Sequence, residues 1–251
     1  MNIFGIIKEL YCGKDNLIAQ LGLFALIGIM TIAFNEVISA YTGNTLYSLF
    51  AVPSEFEVII FSLAAIIVTV FFTGYIYKFV HDSYTNEKIE LPSISMNCFV
   101  TFLRLVPLGI VWGIYLFFII YIGLLLFSYG VILYIFLVAL GILLPFINIV
   151  FLLFAKDFKY NLKLFSPGII VNIMKKSFVP TLLFVIQYIL IMFIVLAVCV
   201  FVSTYIYGLN VSRFSQLIYT LVALCIGSYI QQVLNLAYYN GLTKIIKKNL
   251  I

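Results

Sequence analysis

The 51 residues from Leu105 to Ala155 contain no Asp, Glu, Lys, Arg or His. As one helix they would extend about 77 Å, more than twice the ~30 Å hydrocarbon core of a bilayer. The segment therefore has to fold back on itself. The only polar, turn-prone site near its middle is Ser128-Tyr129-Gly130, which predicts two spanning helices, Leu105–Phe127 and Val131–Ala155.

Four more apolar runs share this character: Leu17–Phe34, Val58–Tyr77, Thr181–Tyr207 and Phe214–Tyr239. The whole chain of 251 residues is 65% hydrophobic and 9% charged. A soluble domain is about half apolar and about a quarter charged, so water cannot be the main solvent of this surface. Run length, together with the lack of strict alternation, favours helices over barrel strands. The expected fold class is an all-α polytopic integral membrane protein with six transmembrane helices.

The cations fix its orientation. Lys8 and Lys14 precede the first run; Lys78, Lys88 and Arg104 lie between the second and third. Lys156, Lys159, Lys163, Lys175 and Lys176 lie between the fourth and fifth, and Lys244, Lys247 and Lys248 follow the sixth. With six crossings, thirteen of the fourteen basic residues fall on one side and only Arg213 on the other. Basic residues near helix ends stay cytoplasmic, so both termini are expected inside a multi-pass cell-membrane protein. The five lysines at 156–176 then form a basic face toward anionic lipid head groups, each adding about 1 kcal/mol of attraction. Their position between apolar runs argues for the bilayer, not nucleic acid, as the partner. The first run is expected to be retained: Glu9 and Asp15 lie ahead of it, and the best cleavage position after it, Ala40, has bulky Ile38 two places before.

Three cytoplasmic connections carry amphipathic patterns. In Asn2–Cys12, Ile3, Phe4, Ile6, Ile7, Leu10 and Tyr11 recur with helical spacing, which predicts a short helix lying in the interface. A second is expected from Ser93 or Ser95 as N-cap to about Arg104. A third opens with Ser166 as N-cap and Pro167 as first helical residue. Pro107 and Pro180 follow the latter two and predict an elbow before each spanning helix. One membrane domain over 1–251 thus divides into three hairpin-like units, about 1–80, 92–160 and 165–245.

Three features carry a family resemblance. The amphipathic, charged IFGIIKELYCGKDN precedes the first spanning helix, Gly74-Tyr75 sits near the end of the second, and Glu90-Leu91-Pro92 lies in the polar connection that follows. In these the chain resembles the DUF4013 group of prokaryotic membrane proteins. The resemblance covers most of the chain and implies the polytopic architecture. That family has no established activity to carry over.

Chemistry-bearing residues are few. His81 is the only histidine and sits beside Asp82, without a nucleophile motif or a second histidine; a solvated head at the membrane surface is expected. Cys12, Cys98, Cys199 and Cys225 show no metal-ligand spacing. No metal, cofactor or catalytic residue is expected. No Asp, Glu, Lys or Arg falls mid-run, where ion pathways and proton relays place them. Uncharged amides do: Asn148, Gln187, Gln231 and Asn235, with Gly227, Gln231 and Asn235 at helical spacing. They read either as helix-packing glue or as the lining of a small polar cavity, to which a carbonyl freed by Pro145 could contribute. Gly109 and Gly113 form a GxxxG that could seat a helix of this chain or of a partner protomer.

The expected function is a non-enzymatic membrane component: a scaffold, accessory or immunity/stress-type factor, with a membrane-protein partner or a homo-oligomer as its setting. The alternative is a permease or facilitator for a small or lipidic molecule through the amide-lined region of helices 4–6.

Overall fold

The computed structural model describes residues 3–11, 14–42, 55–85, 91–126, 131–208 and 213–250. Every regular element among them is helical. The order is α1 (Ile3–Leu10), α2 (Lys14–Thr42), α3 (Glu55–Thr85), α4 (Met96–Leu126), α5 (Val131–Ala155), a 3-10 turn (Leu162–Phe165), α6 (Gly168–Gly208) and α7 (Arg213–Asn249). α4 stops at Leu126 and α5 starts at Val131, flanking the expected turn; residues 127–130 lie outside the described ones.

Five helices are long and apolar enough to cross a bilayer: Glu55–Thr85, Met96–Leu125, Leu133–Ala155, Gly168–Val202 and Ile218–Asn249. The apolar part of α2, Ile18–Ala33, is shorter. The protein is thus a membrane-embedded helical bundle. α6, at 41 residues, is about 60 Å long, twice the hydrocarbon thickness.

The expected elbows do not form as breaks. The second and third amphipathic segments are continuous with α4 and α6, and Pro107 and Pro180 lie inside those helices. A proline removes one backbone bond and crowds the preceding turn, yet helices in membranes absorb this where neighbours re-satisfy the freed groups. Ser166 does cap α6: its Oγ accepts from the Gly168 amide at 3.3 Å. Ser95 stands at the corresponding place before α4, but its hydroxyl is buried without a partner.

The first amphipathic helix forms as expected, but its apolar face is not open to lipid. Ile3, Ile6 and Leu10 are buried in the main core, and α1 packs on α7. Glu9 pairs with Lys244 at 2.9 Å, while Phe4 is the side left exposed. α7 reaches ten residues past the expected end at Tyr239, and this extension, with Leu242, Ile245 and Ile246 buried, supplies the surface α1 covers.

The core is concentrated at one end of the bundle. Its buried residues come from α1, the first half of α2, the second halves of α3 and α5, the first halves of α4 and α6, and the second half of α7. Gly74 allows the closest approach there: a Cβ on it would overlap the backbone carbonyl of Cys98, so α3 and α4 cross in backbone contact. Toward the opposite end, α6 and α7 expose Phe193, Phe201, Tyr219 and Val222.

Candidate functional site

Three places could carry function: an amide–tyrosine cluster, a groove between α6 and α7, and the basic segment after α5.

The cluster is built on α7. Gln232, Asn235, Tyr238 and Tyr239 fall at spacings of three and four, hence on one helix face. The Tyr188 hydroxyl of α6 donates to Asn235 Oδ1, and Asn235 Nδ2 donates to Gln232 Oε1 at 2.8 Å. The Tyr188 and Tyr238 rings pack 4.6 Å apart, and Tyr239 lies against Tyr77 of α3 at 5.9 Å. Of the four expected amides, Asn235 joins this network, while Asn148 is half-buried on α5. Ring contacts extend the cluster to α3 and, through Tyr77 and Phe151, to α5.

Gln187 and Gln231 stay outside it. Gln187 is exposed on α6, turned away by its position one residue before Tyr188. Gln231 is exposed and lines the groove instead. The four amides thus do not border a common cavity. Pro145 is buried within an unbroken α5.

A second polar chain escaped the sequence reading. The Tyr11 and Tyr229 hydroxyls are 2.9 Å apart, and Tyr229 donates to Gln20 Oε1 at 2.8 Å. Gln20 is 3% exposed, its Nε2 has no partner, and the buried Tyr75 hydroxyl has none either. The available signal was a lone amide in the first turn of the first apolar run.

The groove between α6 and α7 has a volume of about 1000 Å³. Its walls are apolar, Phe193 and Leu196 facing Val222 and Ile226, with Tyr188 and Gln231 at one end and Tyr205 and Tyr219 at the other. The helices meet beside it at Gly227, where a Cβ would stand 2.9 Å from Cys199 Sγ. Gly109 and Gly113 have nothing within contact distance of a Cβ, so among the described residues the GxxxG seats no helix of this chain.

The basic segment is an ordered pad. The Trp112 indole donates to the Leu164 carbonyl at 3.0 Å, and the Tyr160 hydroxyl to the Arg104 carbonyl at 2.8 Å. His81 Nδ1 lies 2.9 Å from the Ala155 carbonyl and 3.1 Å from that of Lys156. Carbonyls only accept, so Nδ1 carries the proton and His81 caps the end of α5. It is half-buried beside Phe158, not the solvated head expected. Phe158 adopts φ 51°, a left-handed conformation rare for a bulky residue, with its ring held by His81, Phe154 and the Arg104 guanidinium. Lys156, Lys159, Lys163, Lys175 and Lys176 are all exposed.

Among the described residues no group of three or more His, Cys, Asp or Glu is placed to hold a metal ion. No protein-family model matches the chain, and no curated protein or solved structure shows significant similarity to it.

Proposed function

We propose that this protein is a non-enzymatic, six-span component of a prokaryotic cell membrane, with both termini in the cytoplasm, that works by contact within the bilayer. α2 is the sixth span in this reading, and the one-sided distribution of cations supports the orientation. The likeness to the DUF4013 group, carried by Gly74-Tyr75 and the Leu91-Pro92 element, belongs to the same reading.

The observation that carries it is the largely apolar lining of the open groove, with Tyr188 and Gln231 at one end and Tyr205 and Tyr219 at the other. Asn235 is used in tying α6 to α7, while the large groove is mostly apolar and faces outward. A scaffold, accessory subunit or immunity/stress-type factor needs an apolar face of this kind, one that another membrane helix can cover. A permease working through Asn148, Gln187, Gln231 and Asn235 would need them around one path.

The test is site-specific photocrosslinking in native membranes. A photoreactive residue at Leu196 or Val222, in the groove, should give a discrete protein adduct. One at Leu63 or Ile66 of α3, equally apolar and exposed, should give lipid adducts only. Identical labelling from both faces would remove the basis for this function.

A further inference from the structure

The segment from Tyr160 to Leu164 runs down the side of α4. Tyr160 is bonded to the carbonyl of Arg104 and Leu164 to the indole of Trp112. Those two α4 positions are eight residues, about 12 Å, apart along the helix axis. The two anchor points bracket the start of the uncharged stretch of α4, at Leu105. Between the two anchor points Leu162 is 87% exposed, with Lys159 and Lys163 three residues before and one after it. Leu162 opens the 3-10 turn, and the Asn161 side chain fixes it by accepting from the Lys163 amide at 3.0 Å.

The charge is as one-sided as the geometry. Arg104 and five lysines surround the pad, and the only carboxylate between 156 and 176 is Asp157. Asp157 Oδ1 is occupied with the Lys159 amide at 3.1 Å. The Lys244–Glu9 salt bridge lies elsewhere.

An apolar side chain on a rigid turn, flanked by unneutralised lysines at the depth where a spanning helix enters lipid, matches one occupant. We propose that residues 156–176 dock anionic phospholipid in the cytoplasmic leaflet. Leu162 inserts among the acyl chains, and Lys159 and Lys163 hold the phosphate-bearing head group. Lysine stems reach up from apolar surface to that level readily. The aromatic packing of Phe154, Phe158 and Tyr160 keeps the turn preformed, so little ordering cost opposes binding. The assignment rests on the orientation proposed above only for which leaflet is meant.

The experiment places a second indole at the tip. The Leu162→Trp variant changes an exposed side chain and leaves the Trp112 bond intact; wild type supplies the Trp112 background. Both proteins are reconstituted in phosphatidylcholine containing a small fraction of brominated phosphatidylglycerol or brominated phosphatidylcholine. The added emission should be blue and quenched about fivefold more effectively by the anionic lipid, the scale set by one lysine near a charged surface. High salt and Lys159→Gln/Lys163→Gln should erase the preference. Equal quenching by the two lipids overturns the head-group assignment. Unquenched emission overturns the insertion, whether red from a tip facing water, as an acidic soluble partner would require, or blue from a tip packed on protein. Impermeant labelling of a Lys163→Cys variant in intact cells reads the leaflet separately: labelling from outside with the lipid preference retained would fail the orientation and spare the site.

Discussion

Gly74 of α3 lies directly against the carbonyl oxygen of Cys98 in the first turn of α4, leaving no room for a side chain between the two backbones. The contact falls inside the buried core, next to Tyr75 and Phe79. Gly74→Ala should force the helices apart and lower stability by at least the ~1–3 kcal/mol typical of overpacking. Thermal unfolding in detergent reads this; an unchanged midpoint would mean that the crossing is looser than described.

Gly109 and Gly113 give the opposite expectation. Nothing stands where their Cβ atoms would be, so alanine at either position should leave the fold unchanged, or stabilise α4 by up to ~1 kcal/mol through helix propensity. A loss of stability in the monomeric, detergent-solubilised protein would show that a contact of this chain is made there after all.

The Tyr188–Asn235 bond joins α6 to α7. Asn235→Leu and Tyr188→Phe should each cost about 0.6–2 kcal/mol. The double variant should cost less than their sum, since either change alone breaks the same bond and strands the other group. Strict additivity in a double-mutant cycle would show that the two groups do not interact.

α1 is held by its buried face more than by its charge. Ile6→Asp should release it and expose the first residues to protease, whereas Phe4→Asp should not, because Phe4 is 65% exposed. Glu9→Gln removes a surface ion pair worth about 0–1 kcal/mol and should leave protection intact. Cleavage in Glu9→Gln as rapid as in Ile6→Asp would reverse that ranking.

Trp112 is the single tryptophan of the chain, and its indole holds the pad through the Leu164 carbonyl. Trp112→Phe keeps the ring and loses the bond, so it should cost about 1–3 kcal/mol. Proteolysis after Lys159 or Lys163 should rise in step; a pad equally protected without the indole would show that Tyr160 and the aromatic packing suffice.

The hairpin α4–α5 was legible because hydrocarbon thickness is a hard ruler: an uncharged stretch of that length has one place to turn, and α5 begins at the expected Val131. Helix continuity was not legible. Pro107 and Pro180 remove the same backbone bond whether the helix bends or continues, and only the packed neighbours decide. α1 showed its amphipathic pattern in sequence, but an apolar face reads the same whether lipid or α7 covers it. The amides separated for a similar reason. Gln187 and Tyr188 are adjacent, yet 100° of helical rotation sends one outward and the other to Asn235. Gln20 and Tyr229 are far apart in the chain, and no periodicity links them.

The lopsided placement of the core has a mechanical consequence. At one end, side chains of the chain itself fill the space between helices. At the other, α6 and α7 leave that task to whatever surrounds them. Until a partner helix covers it, the bilayer there acts as a missing structural wall, so acyl-chain length and lateral pressure should tune the spacing of the two helices in the unpartnered protein, while the end clamped by Gly74 and α1 stays indifferent to them.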